Sequence, residues 1–206
     1  MEFIYPFFIS FMLIFFAELG DKTQVLVLSF STKDKAKNIL LGVAIGTFFS
    51  HGLAILFGSN LGSFQNESFR FYSQIFTYST FLLFGIIGFL PKKETNNNNN
   101  TKSSILQKIT SSKLNYMLII AIIIIIGELG DKTFLASLGL GLQYPNYKLS
   151  LIAGSIFGMV ASNSIAIFFG RILGNKLNPK FIEFLSNILF IIFGIFGFTN
   201  LFFNFF

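Results

Sequence analysis

Long apolar stretches alternate with short polar ones along the whole chain. Six of the apolar stretches, at about residues 3–30, 38–57, 71–90, 116–142, 149–169 and 181–203, are long enough to form membrane-crossing helices. A helix needs ~20 apolar residues to cross a ~30 Å hydrocarbon layer. None of these runs alternates apolar with polar positions, as a lipid-facing β-barrel strand would. The pattern predicts an all-α membrane protein with six transmembrane helices.

Two of the runs are interrupted by the same six letters. "ELGDKT" stands at residues 18–23 and again at residues 128–133, an offset of 110. The likeness extends further. Gly42, Gly46, Ser50 and Ala54 align with Gly154, Gly158, Ser162 and Ala166, and "FLLFGIIGF" at 81–89 matches "FIIFGIFGF" at 190–198. The chain therefore reads as two three-helix repeats, residues 1–90 and 115–206. They are joined by a polar, Asn-rich linker at 91–114 that has no face to bury. Three helices is an odd number, so the second repeat enters the membrane from the opposite side. Such inverted repeats place a binding site at their interface near the midplane. Small residues four apart on the second helix of each repeat predict close helix packing.

Composition agrees with this pattern. Of 206 residues 53% are hydrophobic and 12% charged, and the mean hydropathy is +0.70. A soluble domain carries about 25% charged residues. The absence of Cys excludes disulfides and thiolate metal ligands. Only Met1 and Glu2 precede the first run, so neither a cleavable signal nor a transit peptide is expected. The net charge of +6 is not read as nucleic-acid binding, because its placement matters more than its sum. Eleven of the 15 Lys and Arg fall in loops 1–2, 3–4 and 5–6, two in loops 2–3 and 4–5, and two in the repeated motif. The positive-inside rule puts the eleven-charge side in the cytosol or its equivalent, and both termini on the non-cytosolic side.

The motif places six ionisable side chains at depth. Each costs ~2.5–3.5 kcal/mol at the centre of a span, together over ~15 kcal/mol if they faced lipid. They must face each other, water or a cation. On a continuous helix Glu18 and Asp21 share a face, as do Glu128 and Asp131, and Lys22 and Lys132 lie one turn beyond their Glu in the favourable order. Four acids against two lysines leave a formal charge of −2, which suits one divalent cation or two protons. Carboxylate oxygens suit hard ions such as Ca²⁺, Mn²⁺ or Mg²⁺. Gly20 and Gly130 can loosen the helix and free carbonyls, and Thr23 and Thr133 can add hydroxyls. Metal and protons compete for the same oxygens. A site exposed alternately to each side is then a metal/proton exchanger.

The doubled E-x-G-D-K-T motif, each copy in the first helix of a three-helix repeat, resembles the Gdt-type calcium/manganese–proton exchangers of a LysE-like transporter superfamily. The resemblance covers essentially the whole chain. It implies exchange of Mn²⁺ and/or Ca²⁺ for protons, with Glu18, Asp21, Glu128 and Asp131 as ion-binding acids and no resident cofactor. Gly20, Lys22, Thr23, Gly130, Lys132 and Thr133 match the motif as well. The family has bacterial and organellar members, which leaves a bacterial inner membrane or a plastid membrane open.

His51 is the single His, and the repeat pairs it with Asn163. It reads either as a packing histidine or as a pathway residue able to relay protons. Ser50 and Ser162 neighbour this pair and fit packing and pathway equally. Gln24 is a candidate helper ligand, but its counterpart is Phe134, so symmetry gives it no support. A cation channel and a structural membrane subunit remain alternatives. A membrane enzyme is disfavoured, since no Ser/His, Cys/His or His-rich arrangement is present. Oligomeric state is not legible.

Overall fold

The computed structural model describes residues 3–19, 21–63, 67–90, 115–173 and 179–205. Gly20 and the whole linker at 91–114 lie outside these residues, as does the side chain of Lys22. All regular structure among them is helical: α1 (Ile4–Glu18), α2 (Lys22–Phe30), α3 (Ala36–Gly62), α4 (Glu67–Gly88), α5 (Tyr116–Glu128), α6 (Lys132–Gln143), a 3₁₀ turn (Pro145–Tyr147), α7 (Lys148–Leu173) and α8 (Pro179–Phe205).

Four helical stretches, Ala36–Gly62, Phe71–Gly88, Pro145–Phe168 and Ser186–Phe203, are long and apolar enough to cross a membrane. Their outward faces carry large apolar side chains such as Phe57, Phe76, Phe157 and Phe196. A contiguous apolar exterior of this size fits a lipid surface, not water.

The other two runs differ from the sequence-based expectation of a continuous helix. The first divides into α1 and α2 and the fourth into α5 and α6. The 15 residues of α1 reach only about 22 Å at 1.5 Å per residue. Both breaks fall inside the repeated motif. Leu19 leaves α1 with ψ 120°, and Leu129 leaves α5 with ψ 116°. Gly130 then takes φ 81°, a conformation that costs a side-chain-bearing residue but not glycine. Asp21 and Asp131, both extended, stand at the N-caps of α2 and α6. The expected sharing of one helical face by Glu18, Asp21 and Lys22 therefore does not occur, nor does its counterpart at 128–132. At the second break Gly130 and the capping Asp131 outweigh the helix-favouring apolar flanks.

Glycines set the packing. A Cβ at Gly42 or Gly46 of α3 would collide with α5 at Met117, Ile120, Ala121 and Ile124. A Cβ at Gly154 or Gly158 of α7 would collide with α1 at Phe7, Ser10, Phe11 and Ile14. Each contact of the first set lies 110 positions from one of the second. Similarly, Gly85 and Gly88 of α4 pack on Ile191 and Asn187 of α8, while Gly194 and Gly197 of α8 pack on Leu82 and Tyr78 of α4. These partners differ by 109.

Two apolar clusters form the interior. One gathers residues of α1, α2, α3, α5 and α7, including Ile14, Val27, Val43, Ile120 and Met159. The other adds Phe81 of α4 and Phe190 of α8 to Leu13 and Ala17 of α1, Ile55 of α3 and Ala136 and Leu140 of α6. The two rings of Phe81 and Phe190 meet edge to face at 6.0 Å.

Candidate cation site at the helix breaks

The breaks in the two motifs bring one carboxylate from each within 4.8 Å of the other. Glu18, the last residue of α1, and Glu128, the last of α5, are both buried, at 2% and 0% exposure. His51 of α3, fully buried, completes the group. One ligand atom from each of Glu18, His51 and Glu128 lies within 4.8 Å of the other two. His51 Nε2 stands 3.9 Å from Glu128 Oε2, too far for a hydrogen bond.

The site is under-satisfied. Glu18 Oε2, Glu128 Oε1 and His51 Nε2 have no hydrogen-bond partner. Buried polar atoms are nearly always paired. Two adjacent buried carboxylates, each with an unpartnered oxygen, are costly to keep ionised without a proton or a cation. Supporting groups occupy the remaining valences. Thr133 donates to Glu128 Oε2 at 3.0 Å. On the far side of the imidazole, His51 Nδ1 meets Ser137 Oγ at 2.8 Å.

Asp21 and Asp131 take a different place from the two Glu. Both are half-buried. Asp131 Oδ1 accepts the backbone N–H of Lys132 at 2.7 Å, and Asp21 Oδ2 accepts from Thr23 at 3.3 Å. The structure thus seats the aspartates at the starts of the second half-helices, outside the Glu–His–Glu group. Lys132 is half-buried, with its ammonium 6.0 Å from the Phe190 ring centre.

The four residues expected along a pathway are all buried. Ser50 donates to its own helix, at Gly46 O, over 3.0 Å. Asn163 donates to Met159 O at 2.9 Å, and its Oδ1 is unpartnered. Ser162 is bridged to Gln24, whose Nε2 donates to Ser162 O at 2.9 Å and to Ser162 Oγ at 3.0 Å. Gln24 is therefore a structural clasp between α2 and α7, a role the repeat comparison with Phe134 hid. Ser137 carried no sequence signal at all, because its repeat counterpart is Val27 and its contact spans distant helices.

Fold and site together define a helical membrane protein whose buried carboxylates sit at the ends of interrupted helices. Comparison with known proteins names the class. The family model described as "Divalent cation/proton antiporter GDT1" matches residues 6–96 and 116–203, and the chain belongs to this family. It is 26% identical to Protein PAM71, chloroplastic, of Arabidopsis thaliana, over 89% of this chain and 54% of that protein. It is also 26% identical to GDT1-like protein 1, chloroplastic, of Oryza sativa subsp. japonica, over 89% and 59%. A Vibrio cholerae protein named "Putative manganese exporter" is 23% identical over 78% of this chain and 74% of its own length. The chain spans somewhat over half the length of the chloroplast relatives. No solved structure matches.

Proposed function

We propose that the chain is a secondary transporter that exchanges Mn²⁺ and/or Ca²⁺ for protons through a site made by the two E-L-G-D-K-T motifs. The observation that carries this reading is the burial of Glu18 beside Glu128, each with an unpartnered oxygen, at the breaks of two related helices. Two carboxylates carry −2 when ionised. One divalent cation or two protons neutralises them, and the low-dielectric surroundings disfavour any other occupancy. Binding of the metal releases the protons, and protonation releases the metal. Interrupted helices with ion-binding break points are a recurring construction of secondary transporters.

The offset-related glycine contacts support an architecture of two inverted three-helix repeats, in which α1 with α2 and α5 with α6 each count as one interrupted span. The charge distribution supports both termini on the non-cytosolic side. In that orientation α1 and α6 occupy the non-cytosolic half and α2 and α5 the cytosolic half. The asymmetry of the two apolar clusters then fits alternating access. Phe81 and Phe190 pack α4 and α8 against α1 and α6, whereas the cluster that holds α2 and α5 contains no residue of α4 or α8 among those described. This corresponds to a state sealed on the non-cytosolic side. The opposite state requires the α4–α8 pair to lean toward α2 and α5.

Purified protein in proteoliposomes with a pH-sensitive dye trapped inside tests the reading. An inward Mn²⁺ or Ca²⁺ gradient should drive protons outward at a fixed ratio, and Glu18→Gln or Glu128→Gln should stop both fluxes. Metal entry without proton counterflow would indicate a channel and contradict exchange.

A further inference from the structure

We propose that His51 is a direct ligand of the transported cation, and that its nitrogen makes the site prefer a first-row transition ion, Mn²⁺, to Ca²⁺. This rests on the transport reading above and adds the residue that sets ion preference.

The argument starts from the ring's two faces. His51 is fully buried, with Nδ1 held by Ser137 Oγ at 2.8 Å. A histidine that ligates a metal usually gives its other ring N–H to an oxygen, which fixes the tautomer and orients the free lone pair. In the tautomer in which Nδ1–H donates to Ser137, Nε2 keeps its lone pair, 3.9 Å from Glu128 Oε2. Nε2 has no hydrogen-bond partner, and neither do Glu18 Oε2 and Glu128 Oε1. A lone pair and two carboxylates gathered within 4.8 Å in a buried volume repel one another until a proton or a cation lies among them, and a cation can be shared by all three residues.

The competing arrangement is a protonated His51 forming an ion pair with Glu128. At 3.9 Å that pair lacks a hydrogen bond, and it leaves Glu18 Oε2 unanswered. A shared cation would answer Glu18, Glu128 and His51 together.

Nitrogen ligation has a consequence for selectivity. Ca²⁺ takes six to eight oxygen ligands in flexible geometry. Imidazole is a poor ligand for Ca²⁺; Mn²⁺ shares the preference of Ca²⁺ for carboxylate oxygen but, as a first-row transition ion, also gains from a nitrogen donor, at the weak end of that series. The duplication sharpens this. At the repeat-equivalent position Asn163 presents an oxygen, Oδ1, also buried and unpartnered. At this repeat-related position the second half carries an oxygen donor and the first a nitrogen, so the two halves differ in the kind of ligand they place there.

Because His51 is the single His, the untagged chain can be labelled with ¹⁵N-histidine at one site. Pulsed EPR of the Mn²⁺-loaded full chain should show a ¹⁴N coupling that converts to ¹⁵N on labelling and vanishes in His51→Asn. In proteoliposomes, the Ca²⁺ concentration that halves Mn²⁺ uptake should fall ~10-fold or more in His51→Asn, given that even outer-shell changes cost 10–100-fold in metal affinity. Asn163→His should raise it. A wild-type protein that carries Mn²⁺ with no nitrogen coupling overturns the assignment while the transport reading stands. So does a His51→Asn variant that loses Mn²⁺ and Ca²⁺ uptake by the same factor. A wild-type protein that carries neither ion overturns the transport reading and this one with it.

Discussion

In the first half of the chain Glu18 ends α1, Thr23 turns its hydroxyl to Asp21, and Gln24 reaches across to Ser162 on α7. In the second half Glu128 ends α5, Thr133 turns back to Glu128, and Phe134 stands where Gln24 does. His51 of the first half faces the carboxylates with a nitrogen, while Asn163 holds the matching position in the second. The helix breaks, the glycine seams and the two Glu are common to both halves. What differs is the set of polar groups around the acids. The features the two halves share bring two acids together, and on the reading proposed above the features they do not share select the cation and the hydrogen bonds that answer them.

The comparison breaks first at the shared acids. Glu18→Gln and Glu128→Gln should each lower divalent-cation uptake by more than the ~10–100-fold of an outer-shell change. Equal losses from the two halves mean one joint site; a large loss from one alone means the halves do not share it. Next come the glycine seams. Gly46→Ala and Gly158→Ala each push a methyl into the facing helix, and overpacking of this kind costs ~1–3 kcal/mol. Thermal unfolding in detergent should show similar losses for both, since their contacts are related by the repeat.

The unlike residues give smaller and one-sided effects. Gln24→Leu removes two buried hydrogen bonds to Ser162, at ~1 kcal/mol each. Phe134→Leu, at the equivalent place, should cost no hydrogen bond, so a melting-temperature comparison of the pair isolates the clasp. Asp131→Ala loses the N-cap of α6, worth ~1 kcal/mol. Asn in its place should recover most of that stability, whatever it does to transport.

Much of the fold is legible from the pattern of residues. The runs at 38–57 and 149–169 fall inside α3 and α7, and the small-residue spacing on them marks the real contact faces. The breaks within the two motifs are not evident, because the apolar run resumes beyond each motif and the whole stretch has the length of one span. Only Gly followed by Asp hints that a helix stops and another starts. Glu18 and Glu128 stand out by the cost of burying them. That they meet, with His51 between α3 and the breaks, depends on packing between helices far apart in sequence. Ser137 could not be found in this way, since an isolated Ser in an apolar helix has many uses.

Anomalous X-ray scattering at the manganese edge from crystals of the Mn²⁺-loaded protein bears most directly on the joint carboxylate site. A single strong peak among Glu18, Glu128 and His51, absent in Glu128→Gln, is the expected result. A peak confined to the surface, or none beside the two glutamates at saturating Mn²⁺, would mean that the buried pair does not hold the cation.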